Sequence, residues 1–252
     1  MADRNEIIAY LDELLDSPGF PDYGPNGLQV PGAAEVTTVV TGVSASLDLF
    51  EAARERGAEL VLAHHGMFWG DGNDAISPQR AAQLKLLLGN DISLAAYHLP
   101  LDAHPEVGNN ALLIEALGLR IADPFGDHKG RSIGWLAETT GDTDAEALRA
   151  QLAQVTGREP LFFDFGPAMI KRVAVVTGSA PDYLQAAVDA GADAFITGEP
   201  AERVMNVAKE CGIHFAAAGH YATETFGVIR LGELLAEKFD VQHEFVDLPN
   251  PI

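Results

Sequence analysis

One short stretch decides the fold, and it reads Leu60-Val61-Leu62-Ala63-His64-His65-Gly66. An apolar run without alternation is typical of a strand buried on both faces of a parallel sheet. The run ends in His64 and His65, at the strand end where open α/β sheets bind their ligands. Gly66 can leave strand geometry, so both imidazoles can turn towards one crevice. The alternative is two structural histidines that bind backbone carbonyls.

The sequence around this stretch shows the same order of elements twice. The first half is predicted to contain helices near 5–16, 46–56, 79–88 and 110–117, and strands near 36–43, 60–65 and 92–97. The second half is predicted to repeat this order with strands near 173–177, 194–196 and 214–218 and helices near 181–190 and 201–210. Between the two, the less regular stretch of about 125–170 is predicted to add strands near 133–137 and 161–165 and a helix near 144–155. We therefore predict an α/β fold of two interlinked α/β lobes of similar architecture, consistent with an internal duplication.

The predicted lobes divide the candidate residues between them. Residues 1–124 form the first lobe, which carries His64, His65 and Asp102. Residues 125–252 form the second lobe, which carries His220 and Glu224. The helix and strand near 220–252 are free to pack on the first lobe.

Composition limits the class of protein. The chain has 252 residues, of which 47% are hydrophobic, and no apolar run reaches the roughly 18 residues of a membrane span. The N-terminus lacks the pattern of a signal peptide. Cys211 is the single cysteine, so no internal disulfide can form; we expect it to be a small buried residue. These features predict a cytoplasmic protein with no membrane partner.

Charge argues against a general nucleic-acid partner. Asp and Glu number 37 against 16 Lys and Arg, and the formal net charge is −21. Such an acidic surface repels phosphate backbones. It also suggests a salt-rich cytoplasm, in which screening removes the self-repulsion.

Five side chains combine into a candidate metal site: His64, His65, Asp102, His220 and Glu224. His220 and Glu224 are four residues apart and share one face if a helix starts near Gly219. Three imidazoles and two carboxylates exceed what one tetrahedral zinc needs and suit two divalent metals. The donor types leave zinc, manganese, iron, cobalt and nickel open. For Glu224 alone, a solvated carboxylate at a helix start is the alternative.

Several residues near these five have alternative roles. Pro100 predicts that His98 and Asp102 lie on an extended loop rather than on a helix. His98 is a candidate partner for a metal ligand, and His98 or His104 can shuttle protons because histidine titrates near pH 6.5. In the loop 68–78, the two aromatic residues 68 and 69 either stack on a ring-shaped ligand or pack down the loop; packing is favoured. Glu199 either reaches the site or makes an interface hydrogen bond.

Several stretches, in the same order along nearly the whole chain, carry a family resemblance. They are Tyr23-Gly24-Pro25-Asn26-Gly27-Leu28-Gln29-Val30, Ala63-His64-His65-Gly66-Met67-Phe68-Trp69, His98-Leu99-Pro100-Leu101-Asp102-Ala103-His104-Pro105, Gly108-Asn109-Asn110, Thr197-Gly198-Glu199 and Gly219-His220-Tyr221-Ala222-Thr223-Glu224-Thr225. In these stretches the chain closely resembles the dinuclear-metal, NIF-three-like family labelled "type 2 GTP cyclohydrolase I homologue", in its short form without an inserted middle domain.

The resemblance implies specific roles for the five candidate ligands. His65 and Asp102 would bind one metal, His64 and His220 the other, and Glu224 would bridge the two. It also implies two interlinked lobes and a homohexameric ring whose metal sites face a cavity. Asn110 stands where many members carry an acidic residue.

The leading functional hypothesis is a metal-dependent hydrolase. Two metals would lower the pKa of a shared water and polarise the bond that is attacked in a small molecule, such as a purine nucleotide or a cyclic amide. The alternative is a ring-shaped metal-binding regulatory or scaffold protein without turnover. Nucleic-acid binding is the least favoured hypothesis because of the charge.

Overall fold

The computed structural model describes residues 1–70 and 75–252, and the chain divides into two compact units. The first unit consists of Met1–Leu101 and Gly227–Leu248, and the second of Asp102–Phe226 and Pro249–Ile252. The chain therefore leaves the first unit, completes most of the second, and returns to the first near its end. Each unit combines helices with a sheet, mainly parallel in the first unit and mixed in the second, which confirms the predicted α/β class with interlinked lobes.

Helices and strands alternate along most of the described chain. In order they are β1 Ala2–Asp3, α1 Arg4–Leu14, β2 Gly27–Val30, β3 Glu35–Val36, β4 Thr38–Ser44, α2 Leu47–Glu55, β5 Leu60–His65, α3 Pro78–Gly89, β6 Ser93–Ala96, α4 Leu99–Ala103, α5 Asn109–Ala116, β7 Arg120–His128, β8 Arg131–Glu138, α6 Ala145–Thr156, β9 Leu161–Phe163, β10 Arg172–Val175, the 3-10 helix Pro181–Tyr183, α7 Leu184–Asp189, β11 Ala194–Thr197, α8 Val204–Cys211, β12 His214–Ala217, α9 His220–Thr223, α10 Thr225–Phe239 and β13 Gln242–Phe245. The order β4-α2-β5-α3-β6 recurs as β10-α7-β11-α8-β12, which is the predicted repeat.

The first unit is built on a five-stranded sheet in the order β13-β4-β5-β6-β2. The four strands from β13 to β6 are parallel, and β2 is antiparallel at the edge. The apolar residues of β5 are fully buried, as a two-sided strand requires, and two of them, Val61 and Ala63, pack with α2 and α3. Because β5 and β6 are parallel neighbours, the residues that follow both strands lie at one edge of the sheet.

The second unit is built on a six-stranded sheet in the order β7-β8-β10-β11-β12-β9. Its centre, β10-β11-β12, is parallel. The hairpin β7-β8 and the short strand β9 extend it in antiparallel pairing. The core joins apolar residues of α5 and α6 to the central strands. The residues after β10, β11 and β12 therefore lie at one edge of this sheet.

The unit boundary falls between Leu101 and Asp102, whereas the predicted boundary lies at residue 124. The reason is packing: Leu113 and Ile114 of α5 belong to the same buried cluster as Val173 of β10. Asp102 therefore belongs to the second unit rather than to the first lobe. The segment 227–248 belongs to the first unit.

Other differences from the predicted elements have simple physical causes. Leu99–Ala103 is a short helix, not an extended loop, because Pro100 stands in its first turn, where no backbone donor is needed. Strands β2 and β7 were not predicted; both are edge strands, and β7 contains Pro124, which only an edge tolerates. Cys211 is exposed, so the expectation of burial was wrong. Among the described residues, no helix is both long and apolar enough to span a bilayer.

Candidate functional site

Three histidines of the first unit form a compact group at the carboxyl ends of β5 and β6. The rings of His64 and His65 are centred 4.7 Å apart, and that of His98 is 5.0 Å from His64 and 5.5 Å from His65. One ring nitrogen from each lies within 4.8 Å of the others. We therefore confirm that neighbouring histidines of one strand turn towards a common point. Together they offer three nitrogen donors, which is a ligand set that zinc accepts.

Gly66 allows this turn for a reason that the sequence did not reveal. It does not have a positive φ. Instead, a Cβ at this position would lie 2.3 Å from the amide nitrogen of Gln29. The Gln29 side chain uses that space to accept a hydrogen bond from the Met67 N–H (2.8 Å) and to donate one to the Pro25 carbonyl (2.8 Å). The chain after the histidines is thus anchored by Gln29 to β2 and to the segment before it.

Each of the three histidines makes a hydrogen bond through the same ring nitrogen, Nδ1. The partners are the Tyr97 carbonyl for His64 (3.0 Å), the Ser44 hydroxyl for His65 (3.0 Å) and the Asp22 carboxylate for His98 (2.7 Å). A carbonyl or carboxylate only accepts, so Nδ1 of His64 and of His98 carries the proton and the neutral ring has its lone pair on Nε2. Histidine ligands of metals in proteins are oriented in this way.

Asp22 is the buried centre of the network around His98. Besides the imidazole, its carboxylate accepts hydrogen bonds from the Leu99 N–H (2.9 Å) and from the Asn26 side chain (2.9 Å). Burial raises the pKa of Asp22, but the hydrogen bond and charge of His98, with those of Asn26 and the Tyr23 N–H, lower it further, so the net shift is downward. The Asp22 carboxylate is therefore an anion, and in that form it holds the His98 ring. Sequence reasoning missed this residue, because it lies in a loop without periodicity.

His220 and Glu224 form the corresponding pair in the second unit. The Nε2 atom of His220 lies 3.1 Å from Oε2 of Glu224, which confirms that residues four apart share one face here. Nδ1 of His220 is hydrogen-bonded to the carboxylate of Glu199, at the end of β11. Burial lowers the pKa of His220, but Glu224 and Glu199 outweigh it and raise the pKa to about 9. Glu199, left open by the sequence, is thus a partner of a candidate ligand.

Asp102 lies in the same unit, buried to 95% and held on two sides. Its Oδ1 atom accepts hydrogen bonds from the Asn109 amide (2.8 Å) and the Thr177 hydroxyl (3.3 Å). Asn110 bonds the backbone instead, to the carbonyls of Asp102 and Ile133 and the N–H of Thr177. Through these contacts Asn110 holds the helix α4, which carries Asp102, against β8 and the residues that follow β10.

Gly178, which follows Thr177 after β10, lies directly beside the His220–Glu224 pair. Its φ is +69°, and a Cβ there would lie 2.1 Å from Oε1 of Glu224 and 3.3 Å from Nε2 of His220. The predicted Thr177-Gly178 turn thus provides the space in which the Glu224 carboxylate lies. Glu224 is 2% exposed, so the carboxylate has little room to move elsewhere.

The remaining predicted residues have different surroundings. His104 accepts hydrogen bonds at Nδ1 from the N–H groups of Glu106 and Val107 (3.2 and 3.1 Å), so this ring caps its own turn. Phe68 packs in the core of the first unit, as favoured, whereas Trp69 is 41% exposed. Residues 71–74 of the predicted rim loop 68–78 lie outside the described part of the chain.

Fold and site together define the class: an α/β protein of two interlinked units with buried histidine and carboxylate groups suited to divalent metal. Among the described residues, these groups are the ones that gather nitrogen and oxygen donors in this way. The chain matches the Duf34/NIF3 (NGG1p interacting factor 3) family over residues 2–251. It belongs to this family, which confirms the resemblance carried by its motifs.

Relatives and solved structures agree with this membership. A Pseudomonas aeruginosa protein is 44% identical over 245 residues, covering 97% of each chain. One from Escherichia coli K12 is 42% identical over 252 residues, covering 98% of this chain and 99% of its own. Both are named "GTP cyclohydrolase 1 type 2 homolog". The structure is similar to that of protein ybgI, of unknown function (TM-score 0.95, 41% identity), and to TTHA1606 from Thermus thermophilus (TM-score 0.89, 36% identity), with full coverage of both chains in each case.

Proposed function

We propose that this protein is a dinuclear metal-dependent hydrolase that acts on a small molecule. The residues that would hold the metals in this proposal are His64, His65, Asp102, His220 and Glu224. The metals are divalent, and zinc, manganese, iron, cobalt and nickel all fit nitrogen and oxygen donors. When bound, such ions lower the pKa of a water and polarise the bond that it attacks.

One observation carries the proposal. The three proposed histidine ligands all use Nδ1 for a hydrogen bond, to the Tyr97 carbonyl, the Ser44 hydroxyl and the Glu199 carboxylate respectively. This pattern fixes the ring orientation and makes Nε2 the coordinating atom, as at metal sites generally.

The carboxylates support the same assignment. Asp102 and Glu224 are buried acidic side chains, and burying an anion is costly without a compensating positive charge. Glu224 faces His220, whose pKa of about 9 means that a proton is bound there near neutral pH. A divalent ion would take the place of that proton, because metal ligands must be deprotonated.

His98 is the proposed proton carrier of the reaction. It lies in contact with both histidine ligands of its unit and is held by Asp22. In hydrolysis, a water adds OH to the attacked carbon and the leaving atom gains H, so one proton has to be moved. His104 was the other candidate; His98 is favoured because its ring lies 5.0 Å from that of His64 and 5.5 Å from that of His65.

The test measures metal content by elemental mass spectrometry on untagged protein. We expect about two metals per chain in the wild type and a sharp fall in Glu224→Ala. The control is Glu202→Ala, which removes an exposed carboxylate of the same unit and should keep the wild-type content. A wild-type content well below one, unchanged after metal is added back, would contradict the proposal.

Turnover then separates the hydrolase from the metal-binding scaffold. The metal-loaded protein is incubated with GTP, and ring opening is followed by the change in ultraviolet absorbance, with a panel of cyclic amides beside it. Turnover that is lost in Glu224→Ala but kept in Glu202→Ala supports a hydrolase. Two bound metals without turnover of any compound in the panel would favour the scaffold.

The proposal extends to assembly and location. We expect a homohexamer, which the family resemblance implies, in a cytoplasm that keeps Cys211 reduced. Analytical ultracentrifugation of the metal-loaded chain gives the mass of the assembly. A monomer at all concentrations would refute the hexamer without affecting the metal site.

A further inference from the structure

Three aromatic rings of the first unit form a partly exposed surface beside the histidine group. They belong to Tyr23, Trp69 and His98, and we call them the aromatic wall. The rings of Trp69 and His98 are centred 5.0 Å apart and cross nearly at right angles, and that of Tyr23 is 6.2 Å from His98. Trp69 is 41% exposed and Tyr23 is 55% exposed. The Trp69 ring also lies 5.9 Å from that of His65, a proposed metal ligand.

The wall is held in place by hydrogen bonds that leave its rings on the surface. The indole N–H of Trp69 donates to the Gly66 carbonyl (2.9 Å). The Gly70 N–H donates to the Tyr23 carbonyl (2.6 Å), which joins the two segments that carry the rings. His98 is held by Asp22. A preorganised aromatic surface loses little entropy when a ligand binds, so it can contribute most of its contact energy to affinity.

Of the two adjacent aromatic residues, Trp69 is exposed, whereas Phe68 is not. Phe68 packs against the core of the first unit, and the Arg80 guanidinium lies over its ring at 5.1 Å. Arg80, in α3, also donates to the Met67 carbonyl (3.0 Å), which keeps its guanidinium at the Phe68 ring. The wall therefore offers flat apolar faces rather than a cationic pocket.

The net charge of the chain limits the kind of ligand that the aromatic wall can bind. The chain carries a formal net charge of −21, which disfavours a polyanion as the group that contacts this surface. A neutral planar ring suits it, because aromatic rings pack face to face or edge to face at these centroid distances. The imidazole of His98 adds a polar group that can bond a ring heteroatom.

We infer that the aromatic wall of Tyr23, Trp69 and His98 binds a planar heterocyclic ring of the substrate and holds it next to the metal ligands. This inference rests on the proposed function and names the class of substrate for that site. The ring makes the contact with Trp69, and the bond to be hydrolysed lies on the side of His65. Trp69 and Tyr23 are specificity residues in this arrangement, since they contact the substrate without reacting.

The test uses guanosine as the probe, since it has the ring but no phosphate, and ribose as the probe without the ring. Trp135→Phe leaves Trp69 as the single indole, because the chain has two tryptophans. We expect guanosine to change the emission of Trp69 in the metal-loaded protein and ribose to leave it unchanged. If Trp135→Phe does not fold, equilibrium dialysis of guanosine against the wild-type protein gives the same answer.

Variants of Trp69 identify the contact. We expect Trp69→Leu to weaken guanosine binding about tenfold, since stacking of one base is worth about 1–3 kcal/mol and 1.4 kcal/mol is tenfold. Trp69→Phe should recover most of the affinity. The control is Leu88→Ala, which changes an exposed apolar residue of the same unit and should bind as the wild type does. Equal affinity in Trp69→Leu and Leu88→Ala would overturn the inference.

Two further readouts separate this inference from others. Metal content is measured in Trp69→Leu: a loss of guanosine binding with both metals retained supports the wall as a separate part of the site. No guanosine binding to a wild-type protein that holds two metals refutes the wall alone, whereas failure to bind metal refutes the proposed function. Emission of Trp69 that changes with protein concentration but not with guanosine would assign the wall to a second copy of the chain and overturn the inference.

Discussion

The replacement of Gly178 by alanine tests the link between the fold and the candidate metal site. A Cβ at this position would lie 2.1 Å from Oε1 of Glu224, and real Cβ contacts essentially never fall below 3.0 Å. The carboxylate oxygen must therefore move by about 1 Å, several times the ~0.2 Å tolerance of metal–ligand distances. We expect Gly178→Ala to lose metal affinity by more than about tenfold, at least as much as the loss of a group that orients a ligand.

The substitution also has a cost that is unrelated to the site. Gly178 has a φ of +69°, and a left-handed conformation costs other residues about 1–2 kcal/mol. Gly191 provides a matched control, because its φ is +71° and nothing lies within 4 Å of the Cβ position. Both variants should lose a similar amount of stability through φ, which lowers the melting temperature by about 2–4 °C per kcal/mol in a chain of this size. Gly178→Ala should lose more in addition, because its Cβ crowds the buried Glu224 carboxylate.

The assay compares the two variants in metal binding and in unfolding. Metal affinity is measured by competition with a chromophoric chelator, and stability by thermal unfolding of the metal-free protein. We expect weak metal binding in Gly178→Ala alone, with an unfolding temperature at or below that of Gly191→Ala. Wild-type metal affinity in Gly178→Ala would refute the reasoning, because it would mean that the Glu224 carboxylate is not needed where the structure has it.

Three other predictions concern the hydrogen bonds and packing of single residues. Glu199→Gln should weaken metal binding about 10–100-fold, because the charge that orients His220 is lost; an unchanged affinity would argue against that role. Burial raises the pKa of Glu59, but hydrogen bonds from neighbouring threonines lower it further, so Glu59 stabilises the fold above pH 4.5 and less as the pH falls through its lowered pKa. Urea unfolding should therefore show Glu59→Gln to be less stable than the wild type at neutral pH, with the difference closing in acid. Gly232→Ala should destabilise by up to about 2 kcal/mol in the same assay. A Cβ would lie 2.0 Å from the His243 ring, such overpacking costs about 1–3 kcal/mol, and the ~1 kcal/mol helix gain of alanine offsets part of it; a more stable variant would contradict the packing.

Patterns that are local along the chain can be interpreted from the amino-acid sequence. The unbroken apolar run that leads to His64 indicated a two-sided strand, because only such a strand needs no polar face. The spacing of His220 and Glu224 indicated a shared helix face, because residues four apart are neighbours on any helix. Both were confirmed, together with the α/β class and the family. The pairing of these residues into one dinuclear centre stays a proposal.

Features that depend on distant segments were decided by the tertiary structure alone. Asp22 reaches His98 across 76 positions, and no local pattern marks a loop aspartate as its partner. Gly66 and Gly178 matter through the side chains that occupy the space beside them, Gln29 and Glu224, rather than through a sequence motif.

The chain by itself therefore determined the fold class, the family and the candidate donors. The tertiary structure decided which unit holds Asp102, which acceptors orient the histidines and which aromatic ring stays exposed. The physical reason is the distance along the chain over which each kind of interaction acts. Periodicity and turn chemistry act over a few residues, whereas hydrogen-bond partners and excluded space are set by segments that meet only after folding.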